Sequence, residues 1–159
     1  MAPLPWTAKR PEFLHIEKAL QTSTPQTLVN GTTVFRVIGA PIIIQQIVSY
    51  CVTACDATAS TLQWSADGDV GAATTITAAS ASLTSFIAGG VITTNFVNLA
   101  TAPIITGTTG VVLSGITTTG VIVPPGIISM VVGTGSTTGT FLHYLRYMPL
   151  SPAANVLVA

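Results

Sequence analysis

The residues of this sequence that could carry out chemistry are few, and their spacing argues against a reactive cluster. Cys51 and Cys55 are four positions apart, which is about 13 Å in an extended strand and too far for a disulfide. We expect two small, buried hydrophobic side chains. His15 and His143 are the two histidines of the chain, and no local spacing combines them with the cysteines into a set of metal ligands.

Catalysis by a nucleophile and a base would have to use one of these histidines, and neither lies in a catalytic motif. His143 alternates with bulky residues in a predicted strand, which favours a packed or interface histidine over a general base. Asp67 and Asp69 flank Gly68 and could hold a cation or a water, although a solvated turn is the favoured interpretation. The segment GTGSTTGT lacks the lysine of a P-loop. We therefore predict that the protein is not an enzyme and has no catalytic, cofactor-binding or metal-binding residues.

The charge pattern narrows the choice of partner. The 159 residues include five basic and five acidic side chains, so that charged residues make up 6% of the chain against roughly 25% in typical proteins. No charged residue lies between Val70 and Leu145. This pattern provides no basic patch for nucleic acid and no polybasic membrane anchor. The longest apolar run, Val37 to Ile44, is too short to span a bilayer. We expect no direct nucleic-acid partner, no membrane association and synthesis in a cytoplasm.

The composition favours strands over helices. Threonine occurs 26 times, valine and isoleucine recur throughout, and strong helix formers are scarce. Short segments of this kind, separated by turn residues, predict an all-β fold of roughly eight to ten strands, an antiparallel β-sandwich that is jelly-roll-like. The strongest hairpin signal is Asn30-Gly31. The predicted strands cover residues 32–38, 41–52, 61–64, 74–78, 91–97, 111–114, 120–123, 127–132 and 140–147.

The chain divides into three parts. Residues 1–11 are rich in proline and without a regular period, which predicts an extended N-terminal arm. Residues 12–150 form a single β-sandwich domain, and residues 151–159 form a small, uncharged C-terminal tail that could continue along another chain's surface. The segment Pro11 to Leu20 is compatible with a helix or a strand, and we favour the strand.

The last predicted strand carries large side chains on both faces. Phe141, His143, Leu145 and Tyr147 alternate with Leu142, Tyr144, Arg146 and Met148. We expect one face to cover the core and the other to meet a partner. Elsewhere in the second half of the chain, threonine, serine, glutamine and asparagine should make up most outward faces. Such a surface lacks charge repulsion and favours association with copies of itself. The candidate assembly contacts are Trp6, Lys9, Arg10, His143, Arg146 and Tyr147.

The segment GVIVPPGIISMVVGTGSTTGTFLHYLRYMPLSP resembles the ending of a group of small bacteriophage virion proteins. In these proteins a Pro-Gly turn leads to a strand, a Ser/Thr-rich turn and an aromatic strand that closes on a Tyr-x-Pro-Leu-like segment. The earlier stretch TTVFRVIGAPIIIQQIVSYCVTACDATASTLQWSAD is similar to the opening of the same group, and the resemblance covers roughly residues 32–150. The matching residues of the ending are Pro125, Gly126, Ser136, Thr138, Gly139, Tyr147, Pro149 and Leu150.

The resemblance implies a head decoration protein or another minor structural component of the virion, and a capsid decoration, or cement, protein is the leading hypothesis. Such a protein would be made in the host cytoplasm, form a homotrimer, bind the major capsid protein on the outer capsid surface and stabilise the shell. This chain departs from the commoner pattern because its central and C-terminal strands lack acidic residues. The alternatives are a phage tail component, either tube or fibre, and a carbohydrate-binding or receptor-binding jelly roll in which Trp64 and Tyr50 would be the exposed aromatic residues.

Overall fold

Two antiparallel sheets pack against each other in the computed structural model of the protein, which describes residues 17–96, 104–106 and 120–159. The all-β sandwich predicted from the sequence is confirmed. The seven-stranded sheet contains β1 (Lys18–Gln21), β2 (Gln26–Thr27), β4 (Ile42–Thr53), β7 (Val91–Asn95), β8 (Ile104–Thr106), β9 (Val121–Val123) and β11 (Thr140–Pro149). The five-stranded sheet contains β3 (Thr33–Ile38), β5 (Thr61–Gly68), β6 (Thr74–Thr75), β10 (Gly126–Gly133) and β12 (Asn155–Val158).

The connectivity ties the two sheets together. The strand order is β1-β11-β4-β7-β8 in the larger sheet, with β2 on β11 and β9 on β4, and β12-β3-β10-β5-β6 in the smaller one. Consecutive strands often lie in opposite sheets, as β3, β4 and β5 do, and as β10, β11 and β12 do. Because the chain crosses between the sheets repeatedly, neither sheet is formed from one continuous stretch of sequence.

The central pair of the larger sheet, β4 and β11, shows why the sequence forms strands. Along β11, residues alternate between buried and partly exposed positions over the whole strand, as expected for a strand with one face on the core. The register between the two strands shifts between Arg146 and Tyr147, leaving Gln45 as an extra residue in β4. This bulge lets both Ile44 and Ile47 point into the core although they are three positions apart.

Aromatic and branched aliphatic side chains fill the space between the sheets. The largest fully buried side chains are Trp64, Phe35, Phe96, Phe141, Leu28, Ile42, Ile44, Ile47, Leu62, Leu83, Ile92 and Ile128. Each such side chain contributes about 1.5 to 3 kcal/mol relative to an exposed one. The core therefore supplies the main driving force for this fold within the described chain.

Most predicted strands coincide with observed ones, and the differences lie at the ends and in the short strands. The predicted strand at 111–114 and the arm at 1–11 lie outside the described residues, as does the first part of the segment Pro11 to Leu20, whose end forms β1. The short strands β2 and β8 were not predicted. The tail at 151–159 contains β12, which pairs with β3 of the same chain, so this stretch is part of the sandwich rather than a free extension.

The hairpin predicted at Asn30-Gly31 is wrong. Strand β2 before it pairs with β11, whereas β3 after it pairs with β10 and β12, so the turn carries the chain from one sheet to the other. Gly31 has a φ of 80°, which glycine adopts readily. The side-chain oxygen of Asn30 accepts a hydrogen bond from the backbone N–H of Val132 at 3.1 Å, which anchors the turn to β10.

Candidate functional site

A buried histidine is the most conspicuous polar group of the core. His143 lies on β11, opposite Ser49 on β4, and its Nδ1 shares a hydrogen bond of 2.9 Å with the Ser49 hydroxyl. Its ring meets the edge of Trp64 from the other sheet at a centroid distance of 5.2 Å. His143 is 0% exposed, and burial lowers its pKa to about 3. Its Nε2 has no hydrogen-bond partner among the described residues.

The Ser49–His143 pair has the residue types of a nucleophile and a base, but its position gives it no access to a substrate. Both side chains are buried between the sheets, and a pKa near 3 leaves the imidazole a weak base at neutral pH. His143 was predicted as an assembly contact. The structure encloses it within its own chain, so it has no surface with which to touch another subunit in this fold.

The other predicted contacts are placed in different ways. Arg146 points outward from β11 and forms an ion pair with Glu17, in which its Nε donates to the carboxylate at 3.0 Å. This pairing lowers the pKa of Glu17. Tyr147 is buried and its hydroxyl donates to the side-chain oxygen of Asn155 at 3.2 Å, which links β11 to β12. Trp6, Lys9 and Arg10 lie outside the described residues.

Asp56 joins two loops at one end of the sandwich. Its carboxylate accepts hydrogen bonds from the backbone N–H of Thr137 at 2.8 Å, from the Thr137 hydroxyl and from the backbone N–H of Thr58 at 2.9 Å. These donors hold the pKa of Asp56 below its usual range. All partners are neutral groups of the same chain, so the carboxylate fixes loop geometry. Within the described ranges, no three His, Cys, Asp or Glu side chains converge in a way that could hold a metal ion.

The outer face of the seven-stranded sheet carries apolar side chains on both sides of the Gln46–Arg146 pair, and we call this face the apolar face. The strand registers bring together outward positions that are far apart in sequence, since Tyr50 lies opposite Leu142, Val48 opposite Tyr144, and Ile43 opposite both Met148 and Ile122. Three of these side chains are well exposed: Tyr50 at 40%, Tyr144 at 37% and Ile122 at 63%. The apolar face consists of Ile43, Val48, Tyr50, Val91, Ile122, Leu142, Tyr144 and Met148.

Two pairs of polar side chains on this face are matched to one another. The Gln46 amide donates to the side-chain oxygen of Asn95 at 2.9 Å, and Arg146 is neutralised by Glu17. Ion pairs and amide pairs that are already formed need less desolvation when a second surface covers them than unpaired charges do. The apolar face is therefore well suited to burial.

The outer face of the five-stranded sheet is different, and we call it the polar face. Its outward positions include Arg36, whose guanidinium lies 3.7 Å from the Asp69 carboxylate. They also include four aliphatic residues, of which Leu157 on the edge strand is 45% exposed and Ile38 is 36% exposed; the other two are Ile127 and Val131. The remaining outward side chains are Thr33, Thr61, Gln63, Ser65, Asp67, Thr75 and Ser129. The hydroxyl-rich exterior expected from the sequence thus belongs to this sheet, whereas β11 and β9 present apolar residues.

An apolar cleft of about 570 Å³ lies between the two sheets at the β5 and β9 edge. The side chains that line it are uncharged and mostly small or aliphatic, which provides little to orient a polar ligand. They include Ala66, Val70, Ile76, Val121, Ile122 and Pro124.

The exposed aromatic residues expected for a sugar-binding module are only partly present. Trp64 is fully buried between the sheets, whereas Tyr50 is exposed on the apolar face. Trp64 is therefore a core residue, and a role in stacking on a ligand is excluded for it in this fold.

No protein-family model, curated protein or solved structure matches this chain. Among the described residues, none belongs to a helix long and apolar enough to cross a membrane.

Proposed function

We propose that the protein is a structural subunit of a virion, a capsid decoration or cement protein that assembles as a homotrimer through its apolar face. The observation that carries the proposal is the difference between the two outer faces of the sandwich. One face presents Tyr50, Tyr144 and Ile122 beside the Arg146–Glu17 ion pair, whereas the other carries mostly hydroxyls and ions, with Ile38 and Leu157 as its exposed aliphatic residues. Exposed apolar patches of this kind are typical of protein–protein interfaces.

The virion assignment rests on the resemblance between residues 32–150 and small bacteriophage virion proteins. A cement protein needs no reactive group, because it stabilises a shell by adding buried surface at the junctions between capsid subunits. In this proposal the partners are further copies of the chain and the major capsid protein, and the place of action is the outer capsid surface. The arm, with Trp6, Lys9 and Arg10, reaches the shell or a neighbouring subunit.

Light scattering on matched surface variants tests the assembly. Tyr144→Glu places a charge in the middle of the apolar face, and Leu157→Glu places the same charge at a comparably exposed position of the polar face. We expect the unmodified chain to be a trimer, Tyr144→Glu to shift it towards monomer, and Leu157→Glu to leave the trimer intact. Circular dichroism verifies that both variants retain the β fold. A monodisperse monomer of the unmodified chain at high concentration and high salt would overturn the proposal.

Binding to the shell is tested separately by co-sedimentation with capsids of the same virion. We expect the unmodified protein to sediment with capsids and to raise the temperature at which they disassemble. Absence of co-sedimentation, with a trimer present in solution, would refute the capsid role and leave the assembly itself intact.

A carbohydrate-binding module is the second candidate function, and the arrangement of two exposed tyrosines favours it. Tyr50 and Tyr144 occupy diagonal positions on neighbouring strands of a sheet face, where aromatic side chains reach each other and could stack on sugar rings. A glycan array that shows specific binding, lost in Tyr50→Ala with the fold intact, would establish this function. Absence of binding on the array would rule out this function for the glycans tested.

A further inference from the structure

The turn at Asn30-Gly31 contains two groups that can react with each other, the side-chain amide of Asn30 and the backbone nitrogen of Gly31. Asparagine cyclises onto the next nitrogen most readily when glycine follows, because glycine has no Cβ to obstruct the approach. The other asparagines of the chain are followed by phenylalanine, leucine or valine. Asn30 and Gly31 are both exposed, so water and hydroxide ion can reach them.

Three hydrogen bonds hold this turn against β10. The N–H of Gly31 donates to the carbonyl of Met130 at 2.9 Å, and the N–H of Met130 donates to the carbonyl of Thr32 at 2.9 Å. The side-chain oxygen of Asn30 accepts a hydrogen bond from the N–H of Val132 at 3.1 Å. The backbone of β10 therefore binds both the nitrogen and the side-chain carbonyl that a cyclisation would join.

These hydrogen bonds have opposite effects on the reaction, and the one made by Gly31 decides the outcome. Donation from Val132 favours attack, since negative charge develops on the Asn30 oxygen as the new bond forms. The Gly31 nitrogen, however, attacks only after it has lost its proton, and that proton is bonded to the carbonyl of Met130. The reaction therefore requires the turn to open from β10, and exposed turns open locally far more often than the whole chain unfolds.

We propose that Asn30 is a site of spontaneous deamidation that reacts only while the turn is open from β10. In the open turn, hydroxide removes the N–H proton of Gly31, and the nitrogen forms a bond to Cγ of Asn30. The bond between Cγ and the amide nitrogen then breaks, and ammonia leaves with a proton taken from water. Water opens the resulting ring on either side, which gives an aspartate or an isoaspartate. Overall, one water is consumed and one ammonia is released, with no oxidation or reduction.

The two products should differ in their effect on the turn. An aspartate retains a side-chain oxygen that can accept the hydrogen bond from Val132. An isoaspartate adds a methylene to the backbone, which moves Gly31 out of register with Met130. Either product adds a negative charge to a chain whose formal net charge is zero. The chemistry is independent of the proposed assembly, because the turn is not part of the apolar face.

Deamidation and hydrogen exchange, measured on the full chain, test the proposal together. Peptide mapping by mass spectrometry gives the deamidation rate of Asn30 in buffer and in guanidinium chloride, and NMR gives the exchange protection of the Gly31 amide. We expect deamidation to be at least about tenfold slower in the folded chain. Because both reactions need the same opening, this factor should agree with the protection of Gly31 within about threefold. Equal deamidation rates in the two states, deamidation slowed far less than exchange, or no deamidation in denaturant would each overturn the proposal.

Asn155 provides the internal control, and two variants test the difference between the products. Asn155 is followed by valine, so it should stay unmodified in denaturant over the time in which Asn30 reacts. Asn30→Asp should keep the urea midpoint of the unmodified chain, whereas Asn30→Ala should lower it, because the N–H of the buried Val132 loses its acceptor. An equal loss in both variants would overturn the predicted tolerance of the aspartate product. The rate measurements on the unmodified chain do not depend on either variant folding.

Discussion

Acid should destabilise this fold through His143, and the effect can be worked out from its surroundings. The imidazole is enclosed between Trp64 and Ser49, and burial lowers its pKa from 6.5 to about 3. Above pH 6.5 the histidine is neutral in both the native and the unfolded chain, so its contribution to stability is fully present. As the pH falls from 6.5 towards 3, only the unfolded chain binds the proton, and that contribution is lost.

The size of the effect follows from the two pKa values. Each pH unit below 6.5 costs about 1.4 kcal/mol, so the free energy of unfolding should fall by about 2 kcal/mol between pH 7 and pH 5. Urea denaturation followed by tryptophan fluorescence measures this change, since Trp64 is buried in the native state. The protein concentration must be constant, because association would add to the apparent stability.

His143→Phe provides the comparison. It keeps an aromatic ring against Trp64 and Phe141 and removes the titrating group, while His15 stays in both proteins. We expect the variant to be less stable at pH 7, because the Ser49 hydroxyl loses its partner, and to lose much less stability between pH 7 and pH 5. Parallel pH curves for the two proteins would refute the reasoning. If the unmodified chain takes up no proton when it unfolds at pH 5, the reasoning is also refuted.

Three more perturbations have expected outcomes. Removal of residues 1–10 should leave the circular dichroism spectrum unchanged and reduce co-sedimentation with capsids, because the arm is proposed to reach the shell. Gly126→Ala should lower the free energy of unfolding in urea by about 1 to 3 kcal/mol, because Gly126 has a φ of 152° and a Cβ there would overlap the carbonyl oxygen of Asp67. Asp56→Ala should lower the thermal midpoint, because the N–H and hydroxyl of Thr137 lose their acceptor.

The two substitutions each have a matched control. Gly31→Ala introduces the same kind of backbone strain at a φ of 80° with no atom near the new Cβ, and it should cost less than Gly126→Ala. Asp69→Ala removes an exposed aspartate whose ion pair with Arg36 is long, at 3.7 Å. This substitution should therefore change the thermal midpoint less than Asp56→Ala does. Equal effects within either pair would contradict the explanation. Full co-sedimentation of the truncated chain would eliminate the proposed role of the arm.

The strands that the sequence predicts well are those whose own residues alternate. In β11 every second residue from Phe141 to Tyr147 is buried, and this pattern is visible without any knowledge of neighbours. Strand β12 was missed because it is short and stabilised by pairing with β3. Asn30-Gly31 was interpreted as a hairpin because a turn signal specifies a local change of direction and says nothing about which sheet receives the next strand.

The candidate surfaces were harder to predict, for a different physical reason. The alternation in β11 indicated an outward row with Tyr144, but Ile43 and Ile122 join that row only through register between distant strands. This feature arises from the pairing of distant strands, which residue types and spacing do not contain.

The order of the strands also has a consequence for biosynthesis. β1 pairs with β11, and β3 lies between β10 and β12. Strands that are synthesised early can therefore complete their pairing only after the last strands have been synthesised. In a chain still attached to the ribosome, one edge of β4, twelve residues long and mostly apolar, has no partner until β11 has emerged. Folding that depends on pairing between strands distant in sequence is slow, and a strand that remains unpaired during this time is prone to aggregate. Recombinant yield should therefore depend on chaperones and low temperature, and chains truncated before residue 140 should accumulate as inclusion bodies.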